Sequence, residues 1–201
     1  MADRVPATIG KYRIERELGR GASGVVYLGL DGLRGRKVVV KQMHAHLLAE
    51  PAQAARHRRQ LQSEAALAAR LRHPNIVRLL DADESATPPY LVFEYLSGRP
   101  LSDHASADTL LPVAQVLDIA FKCGHALEYA ERQGLVHRDI KPANLLLADD
   151  GEVKLVDFGA ALSTQSEATQ LAGLVGSPSY MSPEQVREET LTHHSDMFSL
   201  G

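Results

Sequence analysis

The chain has 201 residues, 44% of them hydrophobic, with 22 basic against 25 acidic side chains and a net charge of −3. That is enough apolar matter for one large domain or two small lobes, and the mixed charge excludes the basic footprint of a nucleic-acid or membrane-surface binder. A single cysteine, Cys123, excludes a disulfide framework and fits a reducing, cytoplasmic compartment, and neither a span of ~20 apolar residues nor an apolar N-terminal signal region is present.

Residues 1–11 carry no pattern and read as a loose tail. From Tyr12 to Leu18 apolar and charged residues alternate, which predicts a half-exposed strand. Gly19-Arg20-Gly21-Ala22-Ser23-Gly24 follows. Its glycines let backbone N–H groups approach a phosphate and relax φ in a tight turn. The next residues decide between uses of such a loop. A dinucleotide-binding fold needs a helix there, but Val25-Val26-Tyr27 is β-branched and aromatic and continues as a strand.

Residues 37–41 predict a third strand with Val39 and Lys41 on one face. Taken alone, Lys41 is a solvated strand end. Residues 53–71 form a helical run free of Gly and Pro, with Leu61, Ala65, Ala68 and Leu71 as its apolar stripe. Glu64 sits at the edge of that stripe. A carboxylate turned inward needs a cation, and Lys41 is the partner at hand; the plainer alternative is a local surface pairing. His73-Pro74-Asn75 ends the helix. Residues 76–80 and 90–96 read as two more strands, and Ser97-Gly98-Arg99-Pro100 as a boundary.

Residues 112–133 give the strongest helix signal. Val113, Val116, Leu117, Ala120, Gly124 and Leu127 recur at three and four and are taken as its apolar face. Cys123 reads as a small core residue of this helix, and Gly134 as its C-terminal cap. Then comes His137-Arg138-Asp139-Ile140-Lys141-Pro142-Ala143-Asn144 between two apolar runs. Pro142 bars a helix through it, so the polar residues occupy a constrained loop. Val153-Lys154-Leu155-Val156-Asp157-Phe158-Gly159 is a further short strand ending in a carboxylate and a glycine. Asp139, Asn144 and Asp157 are hard oxygen groups of the kind Mg²⁺ prefers.

These two stretches read H-R-D-x-K-x-x-N and D-F-G, and they resemble the catalytic loop and metal-binding motif of protein kinases. With the glycine-rich hairpin, the strand lysine and helix glutamate, and Gly176-Ser177-Pro178-Ser179-Tyr180-Met181-Ser182-Pro183-Glu184, which resembles the substrate-docking segment, at least six motifs stand in kinase order over residues 12–201. The docking segment departs in one place: Ser182 stands where the family usually has alanine.

The resemblance implies an α+β, two-lobed fold. A lobe at 12–96 would carry a five-stranded antiparallel sheet and one helix, and a mainly helical lobe at 97–201 would be incomplete. It implies a bacterial serine/threonine protein kinase that uses ATP and Mg²⁺ on protein hydroxyls, with no nucleic-acid partner. Asp139 would be the base and Lys141 would meet the γ-phosphate. Asn144 and Asp157 would hold the metal. Lys41, paired with Glu64, would place the α- and β-phosphates. Gly19, Gly21, Ser23, Gly24, Val26, Val39 and Leu146 would line the nucleotide, with Phe93 behind adenine and residues 94–96, including Glu94 and Leu96, bonding it through the backbone. His137 and Phe158 would be packing residues.

Ser177 would contact Asp139 and Lys141. Arg138 would pair with a phosphate on the segment after Gly159, at Thr169 or alternatively Thr164 or Ser166. Two rival readings are a non-catalytic relative, whose usual sign is loss of Lys41, Asp139 or Asp157, and a small-molecule phosphotransferase, against which the docking segment argues. The chain stops within Asp196-Met197-Phe198-Ser199-Leu200-Gly201, which resembles the opening of a large central helix. From this it is expected to be a fragment of weak activity, with Glu184 lacking its arginine partner and the apolar face of the 112–133 helix uncovered.

Overall fold

The computed structural model describes residues 5–163 and 177–201. The chain folds as two compact units, one made of Met1–Ala69 with Arg78–Tyr95, the other of Arg70–Val77 with Leu96–Gly201. No helix among the described residues is long and apolar enough to cross a membrane.

The first unit is an antiparallel sheet and one long helix. Its strands are β1 (Thr8–Ile9), β2 (Tyr12–Arg20), β3 (Gly24–Asp31), β4 (Arg36–Met43), β5 (Leu79–Asp83) and β6 (Tyr90–Glu94), in the order β1-β2-β3-β4-β6-β5. The sheet therefore has six strands, not five. The extra one comes from the expected loose tail, where Gly10 takes φ +53° in the two-residue turn between Ile9 and Tyr12. A Cβ on Gly10 would lie 2.0 Å from the Tyr90 hydroxyl, so the turn needs glycine twice over.

The sheet curls. Tyr12 of β2 donates from its hydroxyl to Asp81 of β5 at 2.6 Å, although three strands separate them. Alternation sorts the faces: Ile9, Tyr12, Ile14, Val25, Tyr27, Val38, Val40, Tyr90 and Val92 form one buried cluster. Val26, Val39 and Lys41 point the other way, with Val26 directly opposite Lys41. Helix α1 (Pro51–Arg70) buries Leu61, Glu64, Ala65, Leu67 and Ala68. The expected strand at 76–80 begins later, at Leu79.

The second unit holds helices α2 (Val113–Arg132), α3 (Pro183–Val186) and α4 (His193–Leu200) and short strands β7 (Gly98–Pro100), β8 (Leu135–Val136), β9 (Leu145–Ala148), β10 (Val153–Leu155) and β11 (Leu162–Ser163). These strands pair as β7-β9-β10 and β8-β11. Residues 75–77 join them: Ile76 bridges Leu155 in parallel, and the Asn75 amide group donates to the Val153 carbonyl at 2.8 Å.

Helix α2 corrects the sequence reading. It buries Ile119, Cys123, Ala126, Leu127 and Ala130, whereas Val113, Val116, Leu117 and Phe121 are exposed. The helix carries two apolar faces, and periodicity alone does not say which one meets the core. Gly134 caps it at φ +71°, its amide donating to Glu131 at 2.7 Å. Cys123 is fully buried, and burial pushes its thiol up to about 12.

Candidate functional site

In the first unit the polar residues gather at the β2–β3 turn and on β4. The Gly21 amide donates to Gly24 O at 2.9 Å and closes the turn. Contrary to expectation, Gly19, Gly21 and Gly24 keep ordinary φ; the positive-φ glycines lie elsewhere. Gly24 is needed for packing, because a Cβ there would meet Gln42 O at 2.2 Å. Around Gly19 and Gly21 a Cβ would meet no atom within 4 Å, so the chain itself makes no demand for glycine at either position. Beyond β4, the His44 ring bonds Gly21 O through Nε2 at 2.9 Å and the His44 amide donates to Ser23 O, which ties the turn to the strand end.

Lys41 Nζ lies 2.8 Å from Glu64 Oε1. Their side chains are 18% and 9% exposed, so the pair is largely shielded from water and its attraction little screened. Phe93 is buried on β6, opposite Val39. The Glu94 amide donates to Arg78 O at 3.0 Å, so this N–H is engaged within the unit. Leu96 and Leu146, both half-buried, belong to the second unit.

In the second unit the loop between β8 and β9 holds its carboxylate from several sides. Lys141 Nζ donates to Asp139 Oδ2 at 2.7 Å and to Ser177 Oγ at 2.7 Å. Ser177 Oγ in turn donates to Asp139 Oδ1 at 3.1 Å. Asn144 Nδ2 donates to Asp139 O at 2.8 Å and to Oδ2 at 3.0 Å. The contact expected of Ser177 with both groups is thus present. Both of these Asn144 side-chain bonds use Nδ2, which makes Oδ1 the atom it has to offer a cation. Asp157 sits at φ +63°, with Oδ1 accepting from the Gly159 amide at 3.3 Å.

The loop is anchored underneath. His137 is fully buried, its ring 4.7 Å from that of Phe158. Its Nδ1 accepts from the Asp139 amide, so Nε2 carries the proton and donates to Val156 O at 3.3 Å. Arg138 is buried at φ +68°, a conformation side chains rarely adopt. Burial pulls its guanidinium down to about 10, against the opposing field of Asp196. Asp196, 2% exposed, accepts from the amides of His137 and Arg138, each at 2.7 Å. Burial raises its carboxyl above the usual range even with those donors in place.

Sequence reasoning saw Asp196 only as part of a helix start and assigned nothing to Gln185 or His44. Their roles depend on where distant segments fold, and no local pattern carries that. Glu184, expected without its arginine, accepts a hydrogen bond from Ser195 Oγ at 2.6 Å in this chain. Thr164, Ser166, Thr169 and Gly176 lie outside the described residues.

Comparison with known proteins identifies the family. The model of the protein kinase domain family matches residues 12–201. A probable serine/threonine-protein kinase of Streptomyces coelicolor is 39% identical over 199 residues, covering 96% of this chain and 29% of its own length. Serine/threonine-protein kinase PknB of Mycobacterium leprae is 36% identical over 202 residues, covering 98% of this chain and 32% of its own. A probable PknB of Bifidobacterium longum is 36% identical over 215 residues, covering 100% and 31%. The chain thus spans about a third of the length of these relatives. By the extent of the match and by the motifs it carries, this chain belongs to the protein kinase domain family.

Proposed function

We propose that the chain carries the catalytic machinery of a bacterial serine/threonine protein kinase, acting in the cytoplasm and moving the γ-phosphoryl group of ATP to hydroxyls of protein substrates. The observation that carries this reading is the hydroxyl of Ser177, which donates to Asp139 while accepting from Lys141. An alcohol set between a carboxylate and an ammonium group is the arrangement that proton removal from a substrate hydroxyl requires.

The residues fit the implied cofactors. Room around Gly19 and Gly21 suits backbone N–H groups cradling phosphate oxygens. Asn144 and Asp157 offer hard oxygens, a donor set suited to Mg²⁺. ATP with Mg²⁺, when bound, supplies the phosphoryl group and neutralises its charge. Asp139 accepts the proton of the substrate hydroxyl at its carboxylate. Lys141 adds positive charge beside that oxygen, where negative charge develops in transfer. Lys41, held in place by Glu64, is the cation that would meet the α- and β-phosphates. The names of the relatives support serine and threonine as acceptors, and the mixed surface charge supports a protein substrate over a nucleic acid. The single buried thiol supports a reducing compartment.

The test is radiolabelled ATP with a generic basic protein beside a panel of small alcohols and amines. Asp139→Asn is expected to lower kcat on the protein about 10²–10⁴-fold, the usual worth of a positioned base, with ATP affinity retained. Full turnover in this variant, or transfer confined to the small molecules, refutes the reading.

A further inference from the structure

The residues Ser182 to Gln185 open α3 with a reciprocal cap. Ser182 Oγ accepts from the Gln185 amide at 3.3 Å, and Gln185 Oε1 accepts from the Ser182 amide at 3.1 Å. The other end of the Gln185 side chain leaves the helix. Its Nε2 donates to the carbonyl oxygen of Arg138 at 2.8 Å. Ser182 is fully buried and Gln185 only 5% exposed, so water does not compete for these bonds.

The carbonyl Gln185 holds belongs to the peptide plane that joins Arg138 to Asp139. The opposite edge of that plane is the Asp139 amide, which donates to His137 Nδ1 at 3.3 Å. The plane is thus pinned at both edges, directly after a residue held at φ +68°. A change of ψ at Arg138 turns this plane and swings the Asp139 Cα, and with it the carboxylate. The side chain at position 185 must accept toward Ser182 and donate toward Arg138. An amide does both, whereas a carboxylate offers two acceptors and an aliphatic group neither.

We propose that Gln185 is a positioning residue for the transfer reaction. It fixes the Arg138–Asp139 peptide so that the Asp139 carboxylate meets the substrate hydroxyl, and Ser182 holds Gln185 in register for the task. On this view the serine in place of the family's usual alanine is part of the device, and the substrate-docking segment and the catalytic loop are tied by one side chain. The proposal rests on Asp139 acting as the base.

The experiment compares Gln185→Leu, Gln185→Glu and Asp139→Asn in the whole chain, recording kcat, KM for ATP, melting temperature and the pH profile of kcat. Gln185→Leu is expected to lower kcat about 10–100-fold, the scale of a misplacement near 1 Å, with KM for ATP changed less than about twofold. Gln185→Glu should be equally poor at pH 9 and recover toward pH 6, because its protonated carboxyl regains a donor for the Arg138 carbonyl. Wild-type kcat in Gln185→Leu alongside a dead Asp139→Asn overturns this proposal alone. A Gln185→Glu profile parallel to wild type, with losses in Gln185→Leu that follow melting temperature only, also overturns it. An active Asp139→Asn overturns the function reading and this proposal together.

Discussion

Asp196→Ala is expected to destabilise the second unit by about 3 kcal/mol. The carboxylate takes two backbone hydrogen bonds at 2.7 Å in a site only 2% exposed. Hydrogen bonds to a charged group contribute about 1.5–3 kcal/mol each, so the pair amounts to about 3–6 kcal/mol. Burial, which pushes this carboxyl above its usual range, returns part of that gain and places the net near the lower end. Alanine also leaves the His137 and Arg138 amides without their acceptor. With a urea slope of about 2 kcal/mol per M, the midpoint should fall by about 1.5 M, followed by far-UV circular dichroism at pH 7. Asp196→Asn should rescue little, since its NH₂ must face one of the two donors. A midpoint shift under about 0.5 M in Asp196→Ala, with slope unchanged, refutes the claim that this carboxylate holds the loop.

Two further outcomes are expected. Lys41→Met should lower kcat at least about 100-fold, as removal of a preorganised charge does, while the far-UV spectrum is kept. On the proposed mechanism, combining it with Asp139→Asn should cost little more than the worse single change; more than a tenth of wild-type turnover in Lys41→Met counts against its role. The Ser195 hydroxyl holds the Glu184 carboxyl below its ordinary 4.5. A depressed folded-state pKa gives stability present above that ordinary value and lost as pH falls through the folded one. The difference in urea midpoint between wild type and Ser195→Ala should therefore be largest at pH 7 and shrink toward pH 3; a constant difference disproves the linkage.

The parts of this protein that were legible in its sequence are those whose signals are local. Alternation at residues 12–18, the Gly/Pro-free run into Leu71 and Gly134 after a periodic helix each predict an element that is present. The partnership of Lys41 with Glu64 was legible only with the neighbouring motifs in view, since a carboxylate at the edge of an apolar stripe can equally pair locally on the helix surface. The covered face of α2 was not legible, because Val113–Leu117–Phe121 and Ile119–Cys123–Ala130 both satisfy helical spacing. Nor was the hold of Asp196 on residues 137 and 138, a contact across nearly sixty residues. From the sequence Ser182 reads only as a departure from the family's usual alanine. Its hydroxyl matters through a cap whose far end is the Arg138 carbonyl.

Residues 70–77 pack with the second unit although they lie between two stretches of the first. Neither unit is therefore a continuous piece of chain, and this constrains how the protein can be made and cut. On the ribosome, α1 emerges before the strands that complete its own unit, β5 and β6. Asn75 emerges about eighty residues ahead of Val153 and Leu155, which it binds through its side chain and its carbonyl. Expression of residues 12–95 alone would carry Ile76 and Val77 without their partner strand. Expression of residues 96–201 alone would leave β10 with an unpaired edge, open to other strands. Dissection at the apparent boundary at 95–96 should therefore yield two sticky halves, and a joined or co-expressed pair is the form in which to look for folded material.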